Sequence, residues 1–341
     1  MKIKGALFLV VIMALFSFNK ETFLQLKYPN YFPEPIYDFN QSRLTKEKIG
    51  LGRNLFYDPI MSIDSTVSCA SCHSPYNAFS HTDHPLSHGV FDQIGDRNAP
   101  GLFNLAWQPI FMWDGAVNHL DVQALAPISH PKEMGESINA VIQKLQKKRS
   151  YRKWFYNAFG DSIITGEYLL KSMSQFQLSL ISSNSKYDKM RSGQEFYTEQ
   201  EDRGYLLFNN YCNSCHTEPL FTNYNFANNG IGLDTALMDL GRQKITRNDT
   251  DYAFFKIPSL RNLSYTYPYM HDGRFDKLMD VLNHYSAIHT NVNTSSIDLP
   301  IVLSSNEKID IIAFLLTLND TDFILDPTNK FPRESLLQGE Y

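Results

Sequence analysis

Cysteine is scarce in this chain. Of its 341 residues four are cysteine, and all four lie in two short motifs, which excludes a disulfide framework spread along the sequence. An excess of basic residues is also missing. Thirty-one Lys and Arg against 36 Asp and Glu leave a net charge of −5, whereas a protein that binds nucleic acid through its phosphates needs the opposite balance. No nucleic acid is expected as a partner. The apolar run at residues 5–18, behind Lys2 and Lys4, falls short of the ~20 residues that span a membrane but suits a secretory signal. Residues 1–20 therefore read as a signal peptide, with the periplasm as destination and an uncleaved anchor as the lesser reading. Neither an Ala-x-Ala cleavage triplet nor a lipobox cysteine accompanies it.

What remains is globular. At 43% hydrophobic and 20% charged residues the chain can build a core, and its length suits two domains. The cysteines stand as Cys69-Ala70-Ser71-Cys72-His73 and Cys212-Asn213-Ser214-Cys215-His216. In C-x-x-C-H, two thiolates add across the vinyl groups of haem and the next imidazole takes the iron. A disulfide pair, a thioredoxin-like redox pair and a four-thiolate zinc site compete with that reading. None explains a histidine directly after both pairs, and zinc needs the pairs to converge. Two covalent haem c groups are the expectation.

The halves also repeat one another. Gly52-Arg53-Asn54-Leu55-Phe56 precedes the first motif and Gly204-Tyr205-Leu206-Leu207-Phe208 the second. After them Pro100-x-Leu102-x-Asn104-Leu105 is matched by Pro258-x-Leu260-x-Asn262-Leu263, Met112-Trp113-Asp114-Gly115 by Met270-His271-Asp272-Gly273, and Leu120 by Leu278, all at an offset of 158. A constant register over about twenty positions is the mark of duplication. The expected fold is mainly α, two cytochrome c-type haem domains related by internal duplication: residues 21–184, including helical segments between the halves, and residues 195–341. The linker falls at 185–194. Thr198-x-x-Glu201 and Ser304-x-x-Glu307 read as capping boxes, the second opening a helix with Ile309, Ile312, Ala313 and Leu316 on one face. Val141 with Leu145, then Leu169, Met173 and Phe176, follow a helical period, and residues 291–296 read as a loop.

Where the copies differ, the chemistry differs. Met279-Asp280-Val281-Leu282-Asn283-His284-Tyr285 offers the second haem several iron ligands, whereas the matching Ala124-Leu125-Ala126-Pro127 has no donor. One iron has a protein sixth ligand and the other is left open to peroxide or dioxygen. Near the open face lie Gln123, His130, Lys132 and Glu133. Glu133 is the candidate acid–base group, since heterolysis of an O–O bond moves a proton from one oxygen to the other; the competing reading is a surface carboxylate. Trp113, standing where the second copy has His271, reads either as a relay between haems or as a core side chain.

Gly50-Leu51-Gly52-Arg53-Asn54-Leu55-Phe56-Tyr57-Asp58-Pro59, Gly95-Asp96-Arg97-Asn98-Ala99-Pro100, Trp113-Asp114-Gly115, Glu133-Met134 and Tyr267-Pro268-Tyr269-Met270-His271-Asp272-Gly273-Arg274 stand in one order around the two haem motifs. That set resembles the bacterial dihaem cytochrome c peroxidase family and, within it, the MauG-like branch. The resemblance implies that hydrogen peroxide meets the N-terminal haem, with His73 as its proximal ligand, Glu133 and Gln123 as the distal polar pair and Trp113 as the relay. It also implies a calcium ion between the domains on Asn98 and the carbonyls of Thr266 and Pro268, a neutral oxygen set of the kind calcium accepts.

Two positions depart from the ordinary members. The histidine that caps the resting peroxide iron is replaced by Val90, with His81, His84 and His88 nearby but off register, so the first haem is expected to be high-spin without reductive activation. The sixth ligand of the second haem, a methionine in ordinary members, is Tyr285, as in the MauG-like branch; Met279, Met270 and His284 are the alternatives. A phenolate lowers the reduction potential. The oxidising equivalents could pass to a small redox protein, cytochrome c or cupredoxin, which defines a peroxidase. They could instead pass to a Trp or Tyr of a partner protein, which defines a modifying oxidase and which Tyr285 and Val90 favour. A non-enzymatic electron carrier is the third reading, and a homodimer is left open.

Overall fold

A computed structural model of the chain describes residues 23–287 and 300–338. The signal peptide read at 1–20 and the loop read at 291–296 lie outside the described residues. Helix dominates. The helices are α1 (Lys46–Tyr57), α2 (Cys69–Cys72), α3 (Leu120–Gln123), α4 (Leu125–Ser129), α5 (Ile138–Lys147), α6 (Arg149–Phe159), α7 (Gly166–Ser179) and α8 (Lys186–Arg191). They continue with α9 (Glu199–Tyr211), α10 (Gln243–Thr246), α11 (Leu278–Ala287), α12 (Ser305–Leu316), α13 (Thr321–Leu325) and α14 (Arg333–Gln338). Two short antiparallel ribbons accompany them, β1 (Phe23–Leu24) on β2 (Leu44–Thr45) and β3 (Phe226–Ala227) on β4 (Phe255–Lys256).

Helix starts are written in the side chains. Thr45, Ser137 and Thr165 each accept a hydrogen bond from a backbone N–H three residues on, and Thr198 with Glu201 and Ser304 with Glu307 close full capping boxes. Each half is organised by one close helix crossing. Gly52 of α1 lies so near α7 that a β-carbon there would stand 1.9 Å from the Ser172 carbonyl oxygen, and Gly204 of α9 repeats this at 1.9 Å from the Asp310 carbonyl of α12. Behind the glycines the same aromatic contact recurs, Phe56 with Phe176 at 5.2 Å and Phe208 with Phe314 at 5.0 Å between ring centres. Val141, Leu145, Leu169, Met173 and Phe176 are all buried.

Local geometry repeats as well. Asn104 and Asn262 both take a left-handed backbone, φ +55° and +63°, and each opens a short 3-10 turn. Their amides donate to the Leu180 and Leu318 carbonyls at 2.9 and 3.1 Å. Single bridges pair Phe111 with Val117 and Tyr269 with Phe275 at the same offset.

Three stretches differ from the sequence reading. The linker at 185–194 is not free chain: a capping box of Ser185 and Asp188 starts α8, and Tyr187 and Asp188 are buried in the second half. In α12 the buried face is Ile311, Phe314 and Leu315, while Ile309 and Leu316 are exposed. That helix is apolar around most of its circumference, so periodicity alone could not choose the inner stripe. Finally, the C-terminal tail returns to the first half, where Phe323 and Ile324 join its core. Arg53 Nε donates to the Lys330 carbonyl at 2.7 Å and Tyr57 Oη to the Asn329 carbonyl at 2.6 Å.

Candidate haem sites

Both C-x-x-C-H segments fold as a single turn that sets its histidine against a carbonyl. Cys69 and Cys72 bound α2, and His73 ends it with its amide on the Cys69 carbonyl at 2.9 Å. The ring Nδ1 of His73 lies 2.7 Å from the Phe79 carbonyl. In the second half Cys212 closes α9, and His216 Nδ1 lies 3.3 Å from the Phe221 and 3.2 Å from the Pro258 carbonyl. Burial pushes both imidazoles down to about 4, so each ring is neutral, gives its Nδ1 proton to a carbonyl and keeps Nε2 for a metal. The four thiols are free rather than paired. Among the described residues no three His, Cys, Asp or Glu side chains converge as a metal centre, which leaves the zinc reading without a site. Two adjacent thiols and one neutral imidazole per half fit haem c.

Different groups face the two motifs. Glu133 sits in a turn whose shape is set by His130: the His130 carbonyl accepts the amides of Glu133 and Gly135, each at 3.0 Å. The Gly89–Val90 backbone presses on this turn. Val90 N–H donates to the Glu133 carbonyl at 2.8 Å, and a β-carbon on Gly89 would stand 2.1 Å from the Lys132 carbonyl oxygen. The Glu133 charge helps push up the Cys69 and Cys72 thiols after burial has done most of the work, so the carboxyl is within electrostatic reach of the first motif. Its own pKa is raised, by burial and by Asp96, against the opposing pull of His130. Gln123 does not join this pair directly; its amide donates to Met112 Sδ at 3.8 Å, next to Trp113 in the chain.

Tyr285 is within electrostatic reach of the second motif. Burial first, then the charges of Cys212 and Cys215, push its phenol up to about 12 while the Asn229 side chain pulls it down. Asn229 also engages two of the alternative ligands: its carbonyl lies 2.9 Å from His284 Nε2 and its amide donates to Met270 Sδ at 3.3 Å. Sequence reading missed Asn229, because an asparagine in a loop carries no periodic or motif signal. Of the three off-register histidines, His81 stacks on His84 at 5.8 Å and His84 lies tilted against His88 at 5.0 Å.

Trp113 bridges the halves. Its indole N–H donates to the Asn98 carbonyl at 2.8 Å, and its own carbonyl accepts the Lys256 amide at 2.7 Å. Asn98 N–H in turn donates to the His271 carbonyl at 2.8 Å, and His271 stacks on Phe255 at 3.7 Å. Arg97 locks the junction, 2.7 Å from Asp114 and 2.6 Å from Asp239. The His271 carbonyl that Asn98 binds lies three residues beyond Pro268 in the chain. Among the described residues neither the Thr266 nor the Pro268 carbonyl accepts a hydrogen bond, which leaves neutral oxygens for a hard cation.

A mainly helical chain with two such motifs and unequal groups facing them defines a dihaem c-type cytochrome of the peroxidase kind. A sequence profile of the di-haem cytochrome c peroxidase family matches residues 46–196. The chain is 35% identical over 300 residues to the methylamine utilization protein MauG of Methylorubrum extorquens, covering 84% of this chain and 82% of that one. It is 32% identical over 289 residues to the cytochrome c551 peroxidase of Nitrosomonas europaea, covering 82% and 83%. The crystal structure of a MauG-like protein associated with microbial copper homeostasis superposes with a TM-score of 0.81 at 29% identity, covering 91% and 99%. The chain belongs to the bacterial dihaem cytochrome c peroxidase family. Within it the chain falls in the MauG-like branch, and its activity is that of a peroxidase-type oxidoreductase or a MauG-like oxidase.

Proposed function

We propose that the chain is an exported dihaem enzyme that reduces hydrogen peroxide at the N-terminal haem with electrons relayed through the C-terminal haem. When bound, the haems supply an iron that takes peroxide and a second centre that stores an oxidising equivalent. The two halves are read as copies of one haem unit, which the recurring Gly52 and Gly204 crossings and the Asn104 and Asn262 turns support. His73 and His216 would each hold one iron, with Cys69 and Cys72 or Cys212 and Cys215 holding the porphyrin. Glu133 takes the proton from the inner peroxide oxygen and returns it to the outer one, which leaves as water. Gln123 orients the peroxide, and Trp113 connects the halves. Tyr285 would supply a phenolate to the second iron, and Val90 has no donor atom to offer the first. Calcium fits the oxygens of Asn98, Thr266 and Pro268, where its charge would brace the junction.

The observation that carries this reading is the inequality of the two faces, a raised carboxyl at one motif and a buried phenol at the other. Glu133→Gln tests it. With the high-spin ferric signal retained, steady-state peroxide turnover should drop by ~10²-fold or more, the scale of a lost acid–base group; unchanged turnover removes Glu133 from the chemistry. A second reading, oxidation of a Trp or Tyr in a partner protein, is favoured by the placement of Tyr285. Peroxide added without reductant separates the two: an oxidised spectrum that persists favours the modifying oxidase, and one that decays until a reduced cytochrome c or cupredoxin is supplied favours the peroxidase.

A further inference from the structure

We propose that Lys256 holds a propionate of the C-terminal haem by an ion pair at the junction of the two halves, a role that rests on His216 holding that haem. Haem carries two carboxylates on the edge away from its vinyl groups. With Cys212 and Cys215 on the vinyl edge, those carboxylates are directed into the protein away from the thioethers. A carboxylate taken out of water needs a cation or several hydrogen-bond donors.

The chain around Lys256 is tied to the second motif. Two residues on, the Pro258 carbonyl lies 3.2 Å from His216 Nδ1, and between them the Ile257 carbonyl accepts the Thr222 hydroxyl at 2.7 Å. Asn223, next to Thr222, donates its amide to the Cys215 carbonyl at 3.0 Å. Side chains alternate along a strand. In β4 Phe255 stacks on His271, and Lys256 leaves by the other face, its Nζ 6.0 Å from the centre of the Tyr224 ring. The Lys256 amide meets the Trp113 carbonyl, so this side chain starts from the strand at which the halves join.

Lys256 is 9% exposed, and among the described residues its ammonium has neither a hydrogen-bond acceptor nor a carboxylate. Burial pulls its pKa down to about 8, and no charge opposes the pull. The acids of the surrounding segments are committed: Asp114 and Asp239 to Arg97, Asp251 to Arg242, Asp272 to Arg274. A buried ammonium with three N–H donors and no partner in the chain is a cation placed for an anion that the cofactor brings. The charge also acts on the iron. Ferrous haem is one unit more negative than ferric, so a cation beside the propionate favours the ferrous form and works against the lowering by the Tyr285 phenolate. Lys256 is a positioning residue in this role.

The test is a redox titration and a urea unfolding of the dihaem holoprotein. Lys256→Met, similar in length and uncharged, and Lys256→Gln should each move the ferric–ferrous balance of the second haem about tenfold toward ferric, ~59 mV for a one-electron couple. That is the scale of one charge roughly 10 Å away in a medium of effective dielectric ~20. Lys256→Arg, which keeps the charge, should stay near the wild-type potential. Urea gives a second readout of opposite sign for the two cases: taking the cation from a pair strands the propionate and lowers the midpoint, whereas removing an unpaired buried cation raises it. An unchanged potential in both neutral variants, or a raised midpoint, overturns the proposal. So does a wild-type potential that follows phosphate concentration at constant ionic strength, which would give Lys256 to a solvent anion. Haem content keeps the two ideas apart. If wild type carries two haems and the neutral variants match it in potential, the ion pair fails alone; if it carries one, the haem assignment fails first and the ion pair with it.

Discussion

Arg261 carries its charge into the core with no exposure at all. Its guanidinium meets both oxygens of Asp188 at 2.8 Å, donates to the Pro219 carbonyl and lies over Phe32 and Phe221. Burial alone would raise the Asp188 pKa, but Arg261 and the hydroxyls of Tyr31 and Ser185 outweigh it and hold the carboxyl below its usual range. Asp188→Asn should therefore leave a buried cation unpaired and cost about 3–5 kcal/mol in urea unfolding of the holoprotein. A depressed carboxylate gives stability that is present above its unfolded value of ~3.9 and is lost as pH falls through the lower folded value. Wild type should accordingly lose stability steeply below about pH 4, and Asp188→Asn should lack that component; equal acid transitions would place the pair outside the stability of the fold. Neither residue could be chosen from the sequence, because a pair 73 positions apart leaves no local pattern. For Glu133 and Tyr285 the repeat marked the segments where the copies differ, and the family resemblance chose the residue within each.

At the level of elements, the crossings of α1 with α7 and of α9 with α12 explain why glycine stands before each haem motif. Helix–helix contact this close admits no β-carbon. Gly204→Ala should force α9 and α12 apart and destabilise the holoprotein by about 1–3 kcal/mol, the range for overpacking a core. It should also reduce haem occupancy of the second site, because α9 runs directly into Cys212. Gly166→Ala is the matched control: its β-carbon meets nothing nearer than 3.5 Å, and alanine suits a helix better than glycine. A stable Gly204→Ala with full haem content would show that the helices tolerate separation. The capping boxes at Thr198 and Ser304 were legible in the sequence since each is a local requirement, while the box at Ser185 was read as linker and the glycines showed only as repeated positions. The buried stripe of α12 was not legible, because its neighbours decide which of several apolar faces turns inward.

For the molecule as a whole, what matters is how one half is held to the other. The tail after α12 crosses back to α1, with Ser335 Oγ donating to Asn54 Oδ1 at 2.6 Å. No sequence pattern announced this, since it depends on where the chain lies rather than on what it contains. The junction at Trp113 is different: the sequence marked the residue, and the structure adds its connections. Through the indole N–H to Asn98, and from Asn98 to His271, Trp113 joins a hydrogen-bonded path between the halves, while Arg97 fixes the adjacent Asp114 against Asp239. If this path carries oxidising equivalents, Trp113→Phe should keep the aromatic packing and the ferric spectra of both haems but slow the oxidation of the second haem by at least tenfold, as followed by stopped-flow absorption after mixing the reduced protein with peroxide. Oxidation of the first haem should keep its rate, because Glu133 and the Gly89–Val90 contact are untouched. A uniform loss at both haems would instead indicate that Trp113 is a structural brace, and an unaltered second phase would mean that the equivalents cross by another route.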